Sequence, residues 1–318
     1  VCYGRGGDRP TVTDAHLLLG RLSPAALFPA DPADPEAVRA VFERDLADPL
    51  GTSVTEAARG VLAVANAAMA RALRVVSVER GHDPRAFALV AFGGAGPLHA
   101  AALADDLGME RVLVPRAAGA LSALGLLASD VLAEESVSRV RPLAAVDADA
   151  LAATVADLAG RARERLPGET ATVERFLDLR YAGQSFELRV PVEAVDTGAI
   201  ETATERFHER HERRYGHADR EETVELVTVR VRARRAVAAP SLSPAAGGDA
   251  VDARRETRTV GFADGDCEAV VYDRERLGAG AVLDGPAVVE GVESTVAVPP
   301  DWTASVAEDG TLDLEVDG

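Results

Sequence analysis

The sequence contains no lysine: all 34 basic residues among its 318 are arginine. Without lysine, the chain has no Walker A phosphate loop, no pyridoxal phosphate Schiff base and no lysine general base. Those three kinds of enzyme are therefore excluded for this chain.

Cysteine is nearly absent as well. Cys2 and Cys267 are too few and too far apart in sequence for a disulfide framework or a cysteine zinc site. We therefore expect a reducing, cytoplasmic setting. No run of about 18 apolar residues occurs, and the first residues lack the basic and apolar regions of a signal peptide. The sequence thus predicts neither export nor a membrane span.

Acidic residues outnumber basic ones by 52 to 34, which gives a formal net charge of −18. Binding to nucleic acid or to an acidic membrane needs a basic face, so this carboxylate excess disfavours both partners. The excess suits a halophilic protein kept in solution by self-repulsion, although an acidic proteome from a GC-rich genome explains it equally well. We take the charge as a mark of habitat rather than of mechanism.

The first part of the chain carries clear helix signals. Asp34-Pro35 is a cap followed by proline at the first helical position, and it predicts a helix to about Ala47. The capping box Ser53-x-x-Glu56 opens the longest segment of helical periodicity, which Gly81 ends.

A strand, a turn and a helix follow in close succession. The apolar run Phe87–Phe92 predicts a buried strand, and Gly93–Pro97 makes a turn. A helix is predicted from about Leu98 to Leu107, and a second strand at Val112–Val114. Because strand, helix and strand alternate, we expect a parallel α/β sheet.

Beyond residue 142 the pattern becomes richer in strands. Alternating segments at Phe176–Tyr181 and Gln184–Val190 predict a hairpin. The other predicted elements are helices over 143–167 and 200–215, a strand over 226–233, a linker over 241–252, short strands near 269–272, 287–290 and 295–298, and a hairpin over 308–310.

The glycine turn is the most informative site. Backbone at Gly93, Gly94 and Gly96 can approach a phosphate or ribose closely, and the N–H groups of the following helix attract an anion, so we predict a nucleotide here. The spacing also mimics a dinucleotide fingerprint, but His99 stands where that motif needs its third glycine. A tight strand–helix connection without a ligand is the alternative.

Histidines offer two further candidates. His99 lies in the first turn of the predicted helix, where a neutral ring could meet a ligand or hydrogen bond to backbone. His208, His211 and His217 have a spacing that could bind metal, but their charged neighbours favour a solvated face. The metal assignment therefore stays unknown. No serine elbow or cysteine–histidine signature is present.

Several motifs together resemble the hydantoinase A/5-oxoprolinase family, to which the acetone carboxylase β subunit also belongs. They are Val1–Gly7, Pro10–Ala15, Val78–Pro84, Phe87–Ala100, Leu121–Leu127, Asp178–Gln184, Tyr215–His217 and Gly285–Glu290. They cover nearly the whole chain, and their combination is specific.

The resemblance implies an α/β fold: an actin-like (ribonuclease H-like) ATPase lobe followed by a β-rich α+β C-terminal domain. We expect the second lobe over 1–142, an α+β domain over 143–240, a linker over 241–256 and a β-rich region over 257–318. Gly93, Gly94 and Gly96 would then lie against the ribose and adenine of ATP. The phosphate-gripping loop and the metal-binding aspartate of the first lobe would precede Val1, since the chain opens with valine inside a glycine-rich stretch.

Members of this family open a cyclic amide at the expense of ATP, or activate a ketone for carboxylation. The resemblance therefore implies ATP and Mg²⁺ as cofactors, a hydantoinase B-type subunit as partner, a small cyclic amide or ketone as substrate, and an oligomer. Arg5 and Asp14 are candidates for contacting phosphate and substrate or metal, with His99 as a third catalytic candidate. A non-catalytic nucleotide-binding or scaffold fragment is the alternative of another class.

Overall fold

The structure is a computed structural model that describes residues 6–24, 34–166, 172–193, 195, 197–238, 240 and 248–317. The chain forms two compact units, the first from Val1–Gly125 with Ser241–Gly318 and the second from Leu126–Pro240. The second unit is thus inserted into the sequence of the first. The domain boundaries expected from the sequence, at 142 and 256, differ from these limits and remain predictions.

The α-helices and strands of the described residues are numbered here in chain order. The α-helices of four or more residues are α1 (Val12–Leu18), α2 (Pro35–Phe42), α3 (Val54–Val76), α4 (Gly96–Leu107), α5 (Leu121–Ala128), α6 (Ala148–Glu164), α7 (Thr197–Tyr215) and α8 (Ala250–Ala253). The strands are β1 (Leu89–Val90), β2 (Arg111–Val114), β3 (Val131–Pro142), β4 (Thr172–Tyr181), β5 (Leu188–Val192), β6 (Val224–Arg235), β7 (Arg254–Phe262), β8 (Gly265–Asp273), β9 (Val282–Asp284), β10 (Ala287–Glu290), β11 (Thr295–Val298), β12 (Trp302–Val306) and β13 (Leu312–Val316).

The helix ends of the first unit follow the local sequence. Ser53 and Glu56 form the predicted capping box at the start of α3. Asp34 caps α2, and a π-helical stretch, Glu43–Ala47, continues it as far as predicted. Gly81 ends a separate 3₁₀ turn after α3, and Gly108, at φ 65°, ends α4. Helix positions in this half were therefore predictable.

The first sheet is mixed rather than parallel. Its order is β1-β2-β13-β12-β9, and of its strand pairs only β1 with β2 is parallel in the described chain. Strand β1 is two residues long and lies at the edge, and Phe87, Val90 and Phe92 are each about half exposed. The prediction of a buried strand over Phe87–Phe92 was therefore wrong, because an edge strand needs fewer apolar partners than a central one.

The second sheet, in the order β11-β10-β8-β7, packs beside the first. A common core joins residues of both sheets, including Val112, Val289, Trp302 and Leu314. The strands beyond residue 257, which the sequence suggested as a region of their own, thus complete the unit that contains the glycine turn.

A short backbone approach ties α1 to strand β7. Gly20 has φ 69°, and a Cβ atom there would lie 2.3 Å from the carbonyl oxygen of Thr259. The amide of Gly261 donates to Leu19 O at 2.8 Å, and Arg258 Nε donates to Gly20 O at 2.8 Å. Because only glycine allows this contact, it fixes the position of α1 and of the side chains that α1 buries.

The second unit is a four-stranded antiparallel sheet in the order β3-β6-β4-β5, with helices α6 and α7 packed on it. The predicted hairpin is present as β4 and β5. Its core is built from side chains of the sheet and both helices, among them Leu158, Leu177, Phe207 and Val231.

By length and composition alone, the segment Val54–Arg80, which contains α3, could cross a membrane, although the sequence analysis expected no span. One such helix is weak evidence, since helices inside globular proteins pass the same test. Helix α3 contacts α1, α2 and α4 within the first unit.

Candidate functional site

The glycine turn between β1 and α4 has open space beside two of its glycines. Gly93 has φ 83°, a conformation that favours glycine. Among the described residues, no atom lies within 4 Å of where a Cβ atom would stand at Gly93 or Gly96. The positive φ thus explains the glycine at Gly93, whereas neither backbone conformation nor packing against other elements requires one at Gly96, and the space beside both is open among the described residues.

The start of helix α4 lacks a side-chain cap. Its N-cap residue is Ala95, which cannot accept a hydrogen bond through its side chain, and Pro97 stands in the first turn. Uncapped N–H groups and the helix dipole together attract an anion. The turn can therefore bind the phosphate or hydroxyl groups of a nucleotide.

Two other segments close the opposite side of the turn. The amide of Gly93 donates to Ala118 O at 2.8 Å, in the 3₁₀ turn Ala118–Ala120. A Cβ atom at Gly119 would lie 2.4 Å from Glu293 O, and one at Gly94 would lie 3.5 Å from the same oxygen. Gly119, which the sequence analysis did not single out, thus allows this close approach.

His99 lies on α4 and points into a buried polar cluster. Its Nδ1 lies 2.7 Å from Asn66 Oδ1, and its Nε2 lies 3.1 Å from His16 Nε2. Since the amide oxygen of Asn66 can only accept, His99 donates from Nδ1 and accepts at Nε2 from His16. The donated protons therefore run from His16 to His99 to Asn66, and both rings are neutral in this arrangement.

Burial and a nearby cation keep the two histidines neutral. Burial lowers the pKa of His99 to about 4, and the positive charge of Arg21 adds to that shift. Burial, then His99 and Arg21, lower the pKa of His16 to about 2. The expectation of a neutral His99 agrees with this result, but burial rather than the helix dipole is the leading cause.

His16 has one ring nitrogen without a partner. Among the described residues, only His16 Nδ1 and Arg235 Nε are buried side-chain polar atoms that lack a hydrogen bond. The tautomer derived above leaves a lone pair at His16 Nδ1. His16, Asn66 and Arg21 were missed by the sequence analysis, although a histidine inside the apolar stretch Ala15–Leu19 was an available signal.

The other predicted catalytic residues have different positions. Arg5 lies outside the described residues. Asp14 is buried in the first turn of α1, and its Oδ2 accepts from the backbone amide and the hydroxyl of Thr11 at 2.8 and 2.7 Å. These bonds form a capping box, so Asp14 has a structural role whatever else it does.

The three histidines of the second unit form a hydrogen-bonded cluster instead of the solvated face that was favoured. His208 and His211 are buried, and Tyr181 Oη lies 2.7 Å from His208 Nδ1. His211 Nδ1 lies 2.8 Å from the carbonyl oxygen of His217, and its Nε2 lies 3.2 Å from Gln184 Nε2. Within the described ranges, no group of three or more possible metal ligands is assembled.

Comparison with known families identifies two matching segments. Residues 1–135 match the family described as Hydantoinase/oxoprolinase, and residues 147–315 match the Hydantoinase/oxoprolinase C-terminal domain.

Three relatives are similar to this chain along nearly its whole length. An uncharacterized protein of Methanocaldococcus jannaschii is 37% identical over 99% of this chain and 46% of its own length. The caprolactamase subunit alpha of Pseudomonas jessenii is 32% identical over 99% of this chain and 47% of its own length. The 5-oxoprolinase 1 of Arabidopsis thaliana is 33% identical over 100% of this chain and 27% of its own length.

Two solved structures share the fold. One is the nucleotide-free acetone carboxylase from a study of ATP-dependent acetone carboxylation, with a TM-score of 0.85, 25% identity, and coverage of 99% of this chain and 48% of the other. The second is the ATP-dependent caprolactamase of Pseudomonas jessenii, with a TM-score of 0.75, 31% identity, and coverage of 100% and 48%.

The chain spans about half the length of these relatives, or about a quarter in the case of the plant protein. Its two family matches lie end to end and together include the glycine turn, the histidine pair and nearly all of the inserted unit. The chain belongs to the hydantoinase/oxoprolinase family.

Proposed function

We propose that this chain supplies the adenosine-binding half of an ATP-dependent cyclic amide hydrolase of the hydantoinase/oxoprolinase type. The observation that carries the proposal is the uncapped start of α4 behind an open glycine turn. In the proposal, the first unit corresponds to one lobe of an actin-like ATPase, and Gly93, Gly94 and Gly96 lie against the nucleotide. Its mixed sheet and the similarity to two proteins described as ATP-dependent support this reading.

The chemistry of the proposed reaction explains the need for ATP. An amide carbonyl is a poor electrophile, and its oxygen is a poor leaving group. Transfer of the γ-phosphoryl group to that oxygen releases ADP. Water then adds to the carbon, and the C–N bond breaks so that the ring nitrogen leaves as an amine and an acyl phosphate remains. A second water hydrolyses the acyl phosphate to a carboxylate and phosphate. The protein then contributes mainly positioning and stabilisation of charge.

Within this proposal, the helix N–H groups of α4 hold nucleotide oxygens, while Mg²⁺ would neutralise the phosphates. The part of the chain that the structure describes contains no ready-made metal cluster. Mg²⁺ would therefore be held by the phosphates of ATP and by groups outside the described residues. Arg5 and Asp14 remain candidates for contacts to phosphate and to substrate or metal.

His99 is better suited to positioning than to proton transfer. Both of its ring nitrogens are engaged, by Asn66 and His16, and its pKa near 4 keeps it neutral at physiological pH. We infer that His99 fixes the first turn of α4, and with it the N–H groups that face the nucleotide.

A second candidate function is activation of a ketone for carboxylation, favoured by the TM-score of 0.85 to acetone carboxylase. The same phosphorylation logic applies, with an enol oxygen as the acceptor. In either case we propose a hydantoinase B-type partner, because the caprolactamase relative is named as a subunit. We also propose a cytoplasmic location for the assembly, without a role for nucleic acid.

The nucleotide proposal can be tested with Gly96→Val in the full-length protein. The new side chain enters space that is empty among the described residues, so folding should be little affected while the nucleotide is blocked. Gly160→Val is the matched control, because its Cβ also meets nothing within 4 Å and it lies on α6 of the second unit. We expect Gly96→Val to abolish the rise in melting temperature caused by ADP, and the control to keep it. A rise with NAD or FAD in place of ADP would contradict the proposal.

The substrate can be identified by measuring phosphate release from ATP. A cyclic amide hydrolase should release more phosphate when a lactam, hydantoin or 5-oxoproline is added, whereas a ketone-activating enzyme should respond to acetone or acetophenone. A response to neither class, at normal ADP affinity, would favour the scaffold alternative.

A further inference from the structure

A cavity of about 620 Å³ opens in the first unit, beside α3 and α4 and the loops after β7 and β11. Much of its wall is apolar and includes Leu19, Leu62, Leu98, Ala101, Phe262 and Trp302. Its volume lies in the range of small-molecule sites. The residues Gly93–Gly96 do not line it, so it is distinct from the glycine turn.

Arg21 brings an unbalanced positive charge to this wall. It is 8% exposed and lines the cavity. Its Nε donates to Gly261 O at 2.8 Å, and its guanidinium lies 5.3 Å from the ring centroid of Phe262. Burial lowers the pKa of Arg21 to about 10, and the nearby charge of Arg59 adds to the shift. No ion pair within the described ranges involves Arg21, although buried charges are normally paired.

Two further donors border the same space. Asn66 accepts from His99 through Oδ1, so both hydrogens of its Nδ2 remain for another acceptor. Arg59 is held by Phe262 O at 3.2 Å and Asp266 Oδ1 at 2.7 Å. Arg59 and Asn66 are seven residues apart on α3 and therefore share a helix face. Arg21, Arg59 and Asn66 thus give the cavity wall hydrogen-bond donors of the kind that bind a carboxylate.

Carboxylates also line the cavity, among them Asp105, Asp264 and Asp301. Trp302 Nε1 donates to Asp105 Oδ1 at 3.2 Å. Burial raises the pKa of Asp105, and the negative charges of Asp301 and Asp264 raise it further against the effect of that hydrogen bond. None of these three aspartates takes part in an ion pair with a described residue. A simple anion would meet this repulsion, whereas a ligand with an added cation would relieve it.

We propose that this cavity binds a small amino acid zwitterion with an apolar chain, whose carboxylate meets Arg21 and Asn66 and whose ammonium group meets Asp105, Asp264 and Asp301. The apolar side chains of the same cavity, such as Leu62, Leu98 and Ala101, would cover the methylene chain of the ligand. The cavity has no lining residue in common with Gly93–Gly96, although Asn66, which lines it, also accepts from His99.

The test measures binding of matched probes to the full-length protein by calorimetry. The probes are 5-aminopentanoate and 7-aminoheptanoate, each compared with the carboxylic acid and the amine that keep only one of its charges. We expect at least one zwitterion to bind at least roughly tenfold more tightly than both of its singly charged analogues.

Two variants assign the ends of the ligand. Arg21→Met replaces the buried charge by an apolar chain of similar length, and should reduce zwitterion affinity to that of the amine. Asp105→Asn keeps an acceptor oxygen for the Trp302 indole, and should reduce zwitterion affinity toward that of the acid. Arg71→Met, an exposed change on α3, is the control and should leave affinity unchanged.

Equal binding of the zwitterion and its acid, or no binding of any probe, would overturn the proposal. Unchanged zwitterion affinity in both Arg21→Met and Asp105→Asn would overturn it too. Gly96→Val should bind the zwitterion normally, so failure of the nucleotide proposal can be told apart from failure of this one.

Discussion

Asp178 in the second unit and Arg21 in the first show two different treatments of a buried charge. In the second unit, the buried carboxylate of Asp178 accepts from Arg189 at 3.2 Å and from Arg230 at 2.9 Å, and Arg230 also pairs with Glu134. In the first unit, Arg21 has no such partner among described residues, and His16 keeps a lone pair free. A completed network stabilises a fold, whereas buried groups left open indicate where a ligand supplies the missing partner.

The ion network also shapes the acid–base properties of the second unit. Burial alone would raise the pKa of Glu134, but hydrogen bonds from Arg230 and Arg232 outweigh it and lower the pKa. Burial alone would lower the pKa of Arg230, but its bonds to Asp178 and Glu134 raise it. Each group therefore stabilises the charged form of its neighbour, which no described group does for Arg21.

Among the substitutions at neutral pH, the largest expected effect comes from breaking the completed network. Asp178→Ala leaves Arg189 and Arg230 short of a carboxylate, and should lower the free energy of unfolding of the second unit by about 3 kcal/mol. Urea unfolding followed by circular dichroism measures it. Glu205→Ala is the control, since its pair with Arg220 is exposed to solvent and should contribute little to stability. Equal losses in the two variants would remove the contrast drawn between buried and exposed pairs.

Acid should weaken the first unit through its histidine pair. The folded-state pKa values of His16 and His99, about 2 and about 4, lie below the ordinary value of 6.5. The unfolded state therefore binds more protons below pH 6.5, and stability is lost as the pH falls from about 6.5 to about 4, continuing more weakly to about 2. Each histidine contributes about 1.4 kcal/mol per pH unit in that window.

His16→Leu sharpens this pH prediction. It removes one shifted histidine and the like-charge neighbour of the other, so the loss of stability between pH 6.5 and pH 4 should be shallower than in the unchanged protein. Thermal melts across this pH range provide the measurement. An identical pH dependence in the variant would mean that the pair does not control acid stability.

A smaller effect is expected at the histidine cluster of the second unit. Tyr181 Oη accepts from the amide of Asp219 at 2.9 Å and lies 2.7 Å from His208 Nδ1. Tyr181→Phe leaves both partners unsatisfied and should destabilise by about 1–2 kcal/mol. His16→Leu at pH 8 should cost less, because one ring nitrogen of His16 already lacks a partner. If His16→Leu were the more damaging change at that pH, the comparison between the two clusters would be reversed.

The smallest effect concerns salt. Because the net charge is −18, screening of carboxylate repulsion should raise the melting temperature between dilute buffer and molar salt. The ion pairs of the second unit weaken in salt and oppose this trend there. A flat or falling profile for the whole protein would remove the halophile hypothesis.

Local signals in the sequence predicted much of the fold. The capping box of α3, the glycine that ends α4 and the β4–β5 hairpin depend on nearby residues, and all are present. Strand β1 lies at the edge of the sheet because the other side of β2 pairs with the antiparallel strand β13. That strand comes some 200 residues later in the chain, as the pairing of Val112 with Leu314 illustrates. Periodicity within a short window carries no information about such partners.

The candidate site was predicted in part for the same reason. The glycine turn is a local motif, so Gly93, Gly94 and Gly96 could be chosen from the sequence, and their role stays a prediction. The cluster around His99 joins His16 and Asn66 from two other helices, and Arg21 matters through the carboxylate it lacks. Neither the distance between side chains of different helices nor the absence of an ion-pair partner can be read from residue spacing.

The insertion of the second unit between the two parts of the first has a consequence during protein synthesis. The sheet that supports the glycine turn is completed only by β13, since Leu312–Val316 lies between β2 and β12. A ribosome releases the whole of Leu126–Pro240 well before that strand, so we expect the inserted unit to fold first and the sheet behind the glycine turn last. A chain that lacks β13 would then contain a folded inserted unit and an incomplete first sheet, which makes Leu312–Val316 a requirement for the fold around the glycine turn.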